Sequence, residues 1–273
     1  MRLAYQGEPG AYSEAAALLY SSHAETLPCK TFDDVFDAVV HQRATHGVVP
    51  MENSIGGTIH RNYDLLVDHE IAITGEVELD VVHCLQALPG TRLSDVKTVY
   101  SHPQALAQCE RYLKDLGTAV EAVYDTAGGA KLIAEQKLHG AAALASRRAA
   151  EVFGLEVLQE AVQDFEFNIT RFFVIGGTVA TDANKTTIVF ALPSTPGSLF
   201  KALSVFALRD INLSKLESRP IRGRPWEYLF YVDIESRRDD LPLARALTQL
   251  GEFAKWIRVL GTYKGWERKQ PAT

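Results

Sequence analysis

Only three cysteines, Cys29, Cys84 and Cys109, occur in the 273-residue chain, and none is paired at CxxC spacing. An odd, scattered set excludes a disulfide framework and a cysteine-based metal knuckle. It predicts reduced core thiols in a cytoplasmic protein. Basic charge is also short: 28 Lys and Arg stand against 34 Asp and Glu, a formal net charge of −6. A nucleic-acid footprint requires the opposite balance. No apolar run is long enough to span a membrane, and the opening MRLAYQGEPG lacks the basic, apolar and small-residue order of a secretion signal. HExxH, Walker and GxGxxG patterns are all missing, so no metal and no cofactor is predicted.

What the chain does have is two kinds of patterning, and its length suits about two domains. Residues 1–178 alternate short β-like runs (LAYQ, HGVVP, KTVYS, AVEAVY, GAAALAS) with helical runs (AYSEAAALLYSS, TFDDVFDAVVHQ, HPQALAQCERYLKDL, TAGGAKLIAEQ). That alternation predicts α/β structure with a mainly parallel sheet. Residues 178–186 are small and polar and read as a linker. Beyond them TIVFALP, NLSKLES, EYLFYVDIE and WIRVLGTY read as strands. GSLFKALSVFALRD and LARALTQLGEFA read as helices, the first with Leu199, Leu203, Phe206 and Leu208 near helical spacing. The order βαββαβ is the ferredoxin-like split unit.

Four joints in the first region share one chemistry: GEPGAYSE, ENSIGGTIH, SHPQALAQ and DTAGGAKL each place small, glycine-rich or hydroxyl residues where a helix should start. Ser101, with Pro103 just inside, reads as a helix cap. Uncapped N–H groups at such ends attract anions, and ligands of open α/β sheets gather outside the strand ends. Together the joints predict a cleft for a small anion, most simply a carboxylate.

The segment NITRFFVIGG, residues 168–177, opens an apolar strand with Asn168, Thr170 and Arg171. Alternation puts Thr170 and Phe172 on one face, Ile169 and Arg171 on the other. Two readings stand side by side. Thr170 and Arg171 meet a ligand, the first as hydrogen-bond donor and the second as partner of a carboxylate. Alternatively Thr170 satisfies a local backbone group and Arg171 pairs with Asp164 or Glu166.

These residues, with AYQGEPGAYSE, PMENSIGGTIHRNYDLL, SHPQALAQC, ALASRRAAEVFGLEVL and the later ESRP, resemble the prephenate dehydratase family, which includes the arogenate dehydratases. The resemblance covers nearly the whole chain. It implies a bilobal catalytic region over residues 1–180, built like a type II periplasmic binding protein. One lobe would take about 1–75 plus 160–178 and the other 76–159, with an ACT regulatory domain at 186–265. It also implies decarboxylating dehydration of prephenate to phenylpyruvate without a cofactor, with arogenate as the alternative substrate. Thr170 becomes the donor at the departing hydroxyl, and Asn53, Ser101 and Gln108 the other catalytic positions. Arg171, Phe172, Glu52, Asn168 and the N–H groups of Ser54, Gly56 and Gly57 become substrate-binding candidates. His60 and His102 flank these motifs and read as capping or surface residues.

For the second region the resemblance implies phenylalanine binding by Gly197, Ser198 and Leu199 together with Glu217, Ser218, Arg219 and Pro220. Ser198 and Phe200 depart from the family's Gly-Ala-Leu-Val run, and Phe200 either reshapes that pocket or packs in the core. Inhibition by phenylalanine and a homodimer or homotetramer are expected, in a monofunctional chain of bacterial type. A non-enzymatic amino-acid sensor is the competing class, and turnover separates the two.

Overall fold

Short apolar runs bounded by glycine, aspartate or serine become strands throughout the computed structural model, which describes residues 1–268. In chain order the elements are β1 (Arg2–Gln6), α1 (Tyr12–Tyr20), β2 (Glu25–Cys29), α2 (Phe32–Val40), β3 (His46–Asn53), β4 (Gly57–Thr58), α3 (His60–Asp68) and β5 (Ile73–Asp80). Next come β6 (Cys84–Ala87), β7 (Thr98–Ser101), α4 (Pro103–Gln108), α5 (Glu110–Leu116), β8 (Ala119–Ala122), α6 (Thr126–Gln136), β9 (Ala141–Ala145), α7 (Arg147–Phe153), β10 (Glu156–Gln159) and β11 (Ile169–Gly176). The remainder is β12 (Lys185–Ala191), α8 (Ser198–Ala207), β13 (Leu213–Pro220), β14 (Tyr228–Ile234), α9 (Leu241–Gly251) and β15 (Trp256–Lys264). They gather into two units: Met1–His69 with Val77–Phe173, and Glu70–Glu76 with Val174 onward.

The first unit holds two sheets. In one, β2, β1, β3, β11 and the later half of β5 follow in that order, with β1 parallel to both β2 and β3. In the other the order is β10-β6-β9-β7-β8. Here β7 is parallel to β8 and β9, whereas β6 runs antiparallel to β9 and β10. The sheet is therefore mixed rather than mainly parallel, because β6 enters from β5 without a crossover helix and so need not run with the others.

Small residues set the packing of this second sheet. All five positions of β9 are alanine or leucine and buried, and α6 presents Gly128 and Gly129. A Cβ on Gly129 would sit 3.0 Å from the Tyr100 carbonyl oxygen, so the helix approaches β7 as closely as it does only without one. Gly10 is more constrained. It has φ +89°, and a Cβ there would lie 2.6 Å from the Cα of Ala149, at the point where the β1–α1 loop meets α7.

The run HPQALAQCERYLKDL reads as one helix in the sequence but forms two, broken at Cys109 with φ −120° and ψ 24°. The Gln108 carbonyl accepts from the Asp164 N–H at 2.7 Å, and the Asp164 carboxylate accepts from the Arg111 N–H at 3.1 Å. A distant acid thus caps a new helix start in mid-run.

The second unit follows the predicted βαββαβ order, with strands arranged β13-β14-β12-β15. The core against its helices comprises Ile188, Phe190, Ala202, Val205, Phe206, Val232, Leu243, Ala246 and Leu250. Leu208 lies beyond α8 and is 79% exposed, while Leu199 is at the boundary, so the buried face of α8 is narrower than the spacing of its leucines suggests. Strand β12 starts at Lys185, inside the stretch read as linker. Lys185 is held there by bonds of 3.0 and 2.9 Å to the buried Glu76 carboxylate.

Gly261 fixes the register of β15 against Ile73. A Cβ at this position would stand 2.1 Å from the Ile73 carbonyl oxygen, and backbone cannot yield as a side-chain tip can. Gly261→Ala is expected to destabilise the protein by roughly 2–4 kcal/mol. Urea unfolding followed by tryptophan fluorescence measures it, and an unchanged midpoint would mean that β15 can shift without cost.

Candidate active site

The first unit encloses a cleft of about 560 Å³. Its walls come from α1 (Tyr12), the β2–α2 joint (Lys30 to Asp33), the end of β3 (Asn53), the β5–β6 turn (Val81, His83), α4 (Gln104, Gln108), the β8–α6 joint (Tyr124 to Thr126) and β11 (Thr170, Phe172). Strand alternation decides which β11 residues take part. Thr170, 8% exposed, and Phe172 face the cleft; Arg171 and Phe173 do not line it.

The polar floor is a chain of side-chain hydrogen bonds with one direction. The Asn53 carboxamide oxygen accepts the backbone N–H groups of Ile55 at 3.0 Å and Gly56 at 2.7 Å. Backbone donors cannot reverse, so the NH₂ end must point the other way. It donates to the Asn168 Oδ1 at 2.7 Å, the Ile169 carbonyl at 3.2 Å and the Thr170 Oγ1 at 3.0 Å. Asn168 then has only its own NH₂ to give, and it donates to the Gln108 Oε1 at 2.9 Å. The Gln108 NH₂ makes a long 3.4 Å contact back to Asn53 Oδ1.

One consequence bears directly on chemistry. Thr170 Oγ1 already accepts from Asn53, and its own proton has no acceptor among the described residues. The hydroxyl therefore presents O–H to whatever fills the cleft.

The remaining sequence-derived candidates divide. Asn53, Gln108, Asn168, Thr170 and Phe172 come together at the cleft. Ser101 does not: it is fully buried at the end of β7 and donates to the Leu144 carbonyl at 2.6 Å. Nor does it cap α4, whose cap is His102, with Nδ1 accepting the Gln104 N–H at 3.2 Å. Arg171 lies under β11, with its guanidinium 5.0 Å above the Phe173 ring, 3.5 Å from the Tyr63 hydroxyl and 3.9 Å from Glu52. It is thus neither a carboxylate clamp in the cleft nor the partner of Asp164, which pairs with Arg111 at 3.7 Å. Glu52 shares this arrangement outside the cleft.

The predicted anion-binding N–H groups are also engaged. Ser54 N–H donates to the Ile169 carbonyl, Gly56 N–H to Asn53, and Gly57 pairs with Asn53 in the short β3–β4 ladder. At the other joints Gly10 N–H donates to Glu14, and Ala127 N–H to the Asp125 carboxylate that caps α6. The chain's own acceptors fill most of these ends.

Several cleft residues carry no sequence signal of their role. Lys30 precedes a capping box made by Thr31 and Asp34, and it is the only lysine or arginine among the residues lining the cleft. Asp125 is buried, which raises its carboxyl pKa, although the N–H groups of Glu8, Ala127 and Gly128 draw it back. Tyr12 is raised well above its ordinary range by burial. His83, a lone histidine before β6, is 2% exposed and lies 2.9 Å from Gln108.

In the second unit, Gly197 caps α8 in the left-handed region at φ +77°, and the Ser198 hydroxyl donates to the Thr195 carbonyl at 2.9 Å. Glu217 and Arg219 share the half-buried face of β13, Glu217 being 3.7 Å from Lys215, while Ser218 and Pro220 face outward. Phe200 is 76% exposed, so it is not a core residue of the sheet.

A donor-rich floor under a cleft framed by two sheets, followed by a ferredoxin-like unit, defines a small-molecule-binding protein of the bilobal, type II periplasmic-binding-protein-like α/β class. Comparison with known proteins makes the class specific. Residues 3–179 match the prephenate dehydratase family model and residues 186–252 match the ACT domain. The chain belongs to the prephenate dehydratase family. It is 50% identical over 276 residues to arogenate dehydratase/prephenate dehydratase 2, chloroplastic, of Arabidopsis thaliana, covering 96% of this chain and 72% of the relative. Among solved structures it is similar to one described as a novel type of quorum quenching acylase (35% identity, TM-score 0.90, covering 97% and 98% of the two chains). It is also similar to the prephenate dehydratase of Arthrobacter aurescens in complex with L-Phe (31% identity, TM-score 0.87, covering 100% and 92%).

Because Ser101 is held away from the cleft, its role is in the packing of β7. Ser101→Ala should cost about 1–3 kcal/mol of stability through the lost buried hydrogen bond while turnover stays near that of the unmodified enzyme. Thermal unfolding beside steady-state kinetics checks both halves.

Proposed function

We propose that the cleft carries out decarboxylating dehydration of arogenate and prephenate, with Thr170 as hydrogen-bond donor to the departing ring hydroxyl. The single observation behind this role is the Thr170 proton, left without an acceptor by the Asn53 carboxamide and facing the cleft. In the reaction the bond to the ring carboxylate breaks, its electron pair enters the ring, and the C–O bond to the hydroxyl breaks as the ring becomes aromatic. Carbon dioxide is released, and the oxygen leaves with growing negative charge as hydroxide, which takes up a proton from solvent to become water. Thr170 O–H is aimed where that charge develops, and donors preset in this way lower a barrier without reorganising. A threonine is a poor acid, so its contribution is positioning and electrostatics rather than free proton release.

Prephenate comes first from the sequence motifs alone. The names of the relatives shift the weight: proteins of Arabidopsis thaliana and Petunia hybrida that are 46–50% identical all carry arogenate dehydratase in their names. Arogenate bears an ammonium where prephenate has a keto oxygen. Asp33, which also pairs with Arg61, and Asp125, which also accepts the Glu8 and Ala127 N–H groups, are the lining carboxylates that would accept from it. The acylase described for one structural neighbour would need a nucleophile beside a base. Thr170 has an amide at its side, which accepts no proton, so Thr170 is not set up as the nucleophile of that chemistry.

The catalytic region is taken as residues 1–180, with lobes of about 1–75 plus 160–178 and 76–159, and the regulatory domain as 186–265. Phenylalanine is the proposed regulatory ligand, bound near Gly197 and the Glu217–Pro220 run. The complex of the Arthrobacter aurescens relative with L-Phe supports it. Among the described residues β13 ends the strand order of the second unit, and a terminal strand suits pairing with a second copy in a homodimer or homotetramer. Three buried free thiols suit a reducing compartment such as the cytoplasm. No helix among the described residues is long and apolar enough to cross a membrane.

The test is product formation from arogenate and from prephenate in parallel, each with and without phenylalanine, for the unmodified chain and for Thr170→Ala. Turnover of arogenate at the higher kcat/KM, suppressed by phenylalanine, is the expected result. Thr170→Ala should lose ~10²–10⁴-fold in kcat, the range of general acid help, with unchanged unfolding. Near-normal turnover of the variant would remove Thr170 from the mechanism. Turnover of neither substrate by a folded, phenylalanine-binding protein would favour the sensor.

A further inference from the structure

The direction of the floor network does not stop at Gln108. Gln108 Oε1 accepts from Asn168, so a second group 2.9 Å away, the Nε2 of His83, must also be a donor. In a neutral ring Nδ1 is then an acceptor. The Tyr12 hydroxyl has one proton for two neighbours, the Val82 carbonyl at 2.8 Å and this Nδ1 at 2.9 Å, and a neutral Nε2–H ring requires that proton to be donated to Nδ1. The proton on His83 Nε2 is thus set by two backbone N–H groups on Asn53, relayed through Asn168 and Gln108. The hydrogen-bond partners of His83 are Tyr12 from α1, Gln108 from α4 and, at its backbone, Gln163 and Val162 from the segment ahead of β11. All are uncharged. The Tyr12 ring packs edge-on against the imidazole at 5.5 Å, and burial lowers the imidazole pKa.

We propose that His83 is a positioning residue for the dehydration, a neutral Nε2–H imidazole that locks the Gln108 carboxamide with its NH₂ toward the cleft. This rests on the dehydratase reading. With two donors on Oε1, Gln108 cannot flip without facing N–H against N–H twice. Its NH₂ makes only the long contact to Asn53, which leaves donor capacity for the substrate. Thr170 O–H and Gln108 N–H then form a pair of donors at one place, held by groups that carry no charge. A charged imidazole is not required, and His83 is neither the acid nor the base of the reaction.

The first experiment needs no substrate. In ¹⁵N-histidine NMR of the unmodified protein, the His83 signals are assigned by their loss in His83→Gln. The expected pattern is a protonated Nε2 and an imine-type Nδ1, unchanged between about pH 6 and 8, the interval in which a free imidazole titrates. An Nδ1–H tautomer, or titration across that interval, overturns the proposal. The second experiment compares His83→Leu, which removes the donor, with His83→Gln, which retains an N–H. His83→Leu should lose roughly 10- to 100-fold in kcat, as misplacement of a reacting group does. KM should stay within about twofold, the signature of an interaction realised in the transition state. His83→Gln should recover most of the loss. Equal losses in both variants, or a loss confined to KM, would overturn the positioning role. Unmodified protein that turns over neither substrate would sink the dehydratase reading itself, while the tautomer measurement would still decide the His83–Gln108 geometry.

Discussion

The polar floor of the cleft takes its direction from the Asn53 carboxamide. Its oxygen is tied to two backbone N–H groups in the turn after β3, and its nitrogen to a backbone carbonyl of β11. An asparagine held by side chains alone could reverse with its neighbours at little cost. One held by backbone on both ends cannot, because the backbone has no second arrangement to offer. The order of donors and acceptors in Asn168, Gln108 and Thr170 follows from that single fixed amide. In a buried network an unsatisfied member is expensive, so each fixed partner constrains the next. Catalysis by neutral donors requires this kind of preset direction, since a hydroxyl whose proton points elsewhere offers the substrate only a lone pair.

The same logic explains why the glycine-rich joints are not open anion sites. A helix start attracts a carboxylate, and in this fold the nearest carboxylates belong to the chain. Asp125 caps α6, and its other oxygen accepts the Glu8 N–H. Burial pushes the Glu14 carboxyl up, but bonds from Arg148, the Gly10 N–H and Thr26 together outweigh it and hold the group below its usual range. These acids tie the β1–α1 loop to α6 and α7. The joints therefore serve the fit of the two sheets around the cleft, and Lys30 is left as the one lysine or arginine among the lining residues.

How much of this could be read in the sequence follows from the range of each interaction. Period-2 alternation placed Thr170 and Phe172 on one face of β11, and the βαββαβ order was legible, since both are local. The sequence offers Ser101 as a cap because a serine before His-Pro satisfies the local rule, yet His102 caps α4. The competing partner, the Leu144 carbonyl, is 43 residues away. The break at Cys109 and the capture of Arg111 by Asp164 are of the same kind: a cap supplied from 53 residues downstream overrides a good helical run. The chemistry of Arg171 leaves a ligand and a structural acid equally open and the family resemblance points to the ligand, although the alternation that selects Thr170 sends its neighbour to the opposite face.

His83 shows the limit most clearly. Nothing in DVVHCL distinguishes a buried structural histidine from one in a functional network, since its partners Tyr12 and Gln108 lie 71 and 25 residues away. Its meaning arises only when the end of β3, the start of β11, α4 and the β5–β6 turn bring Asn53, Asn168, Gln108 and His83 into one line. The polarity of that line is then inherited from backbone at Asn53, outside the histidine's own surroundings. A residue can therefore matter to the chemistry by supplying one N–H at the far end of a directed chain, with its ionisation playing no part.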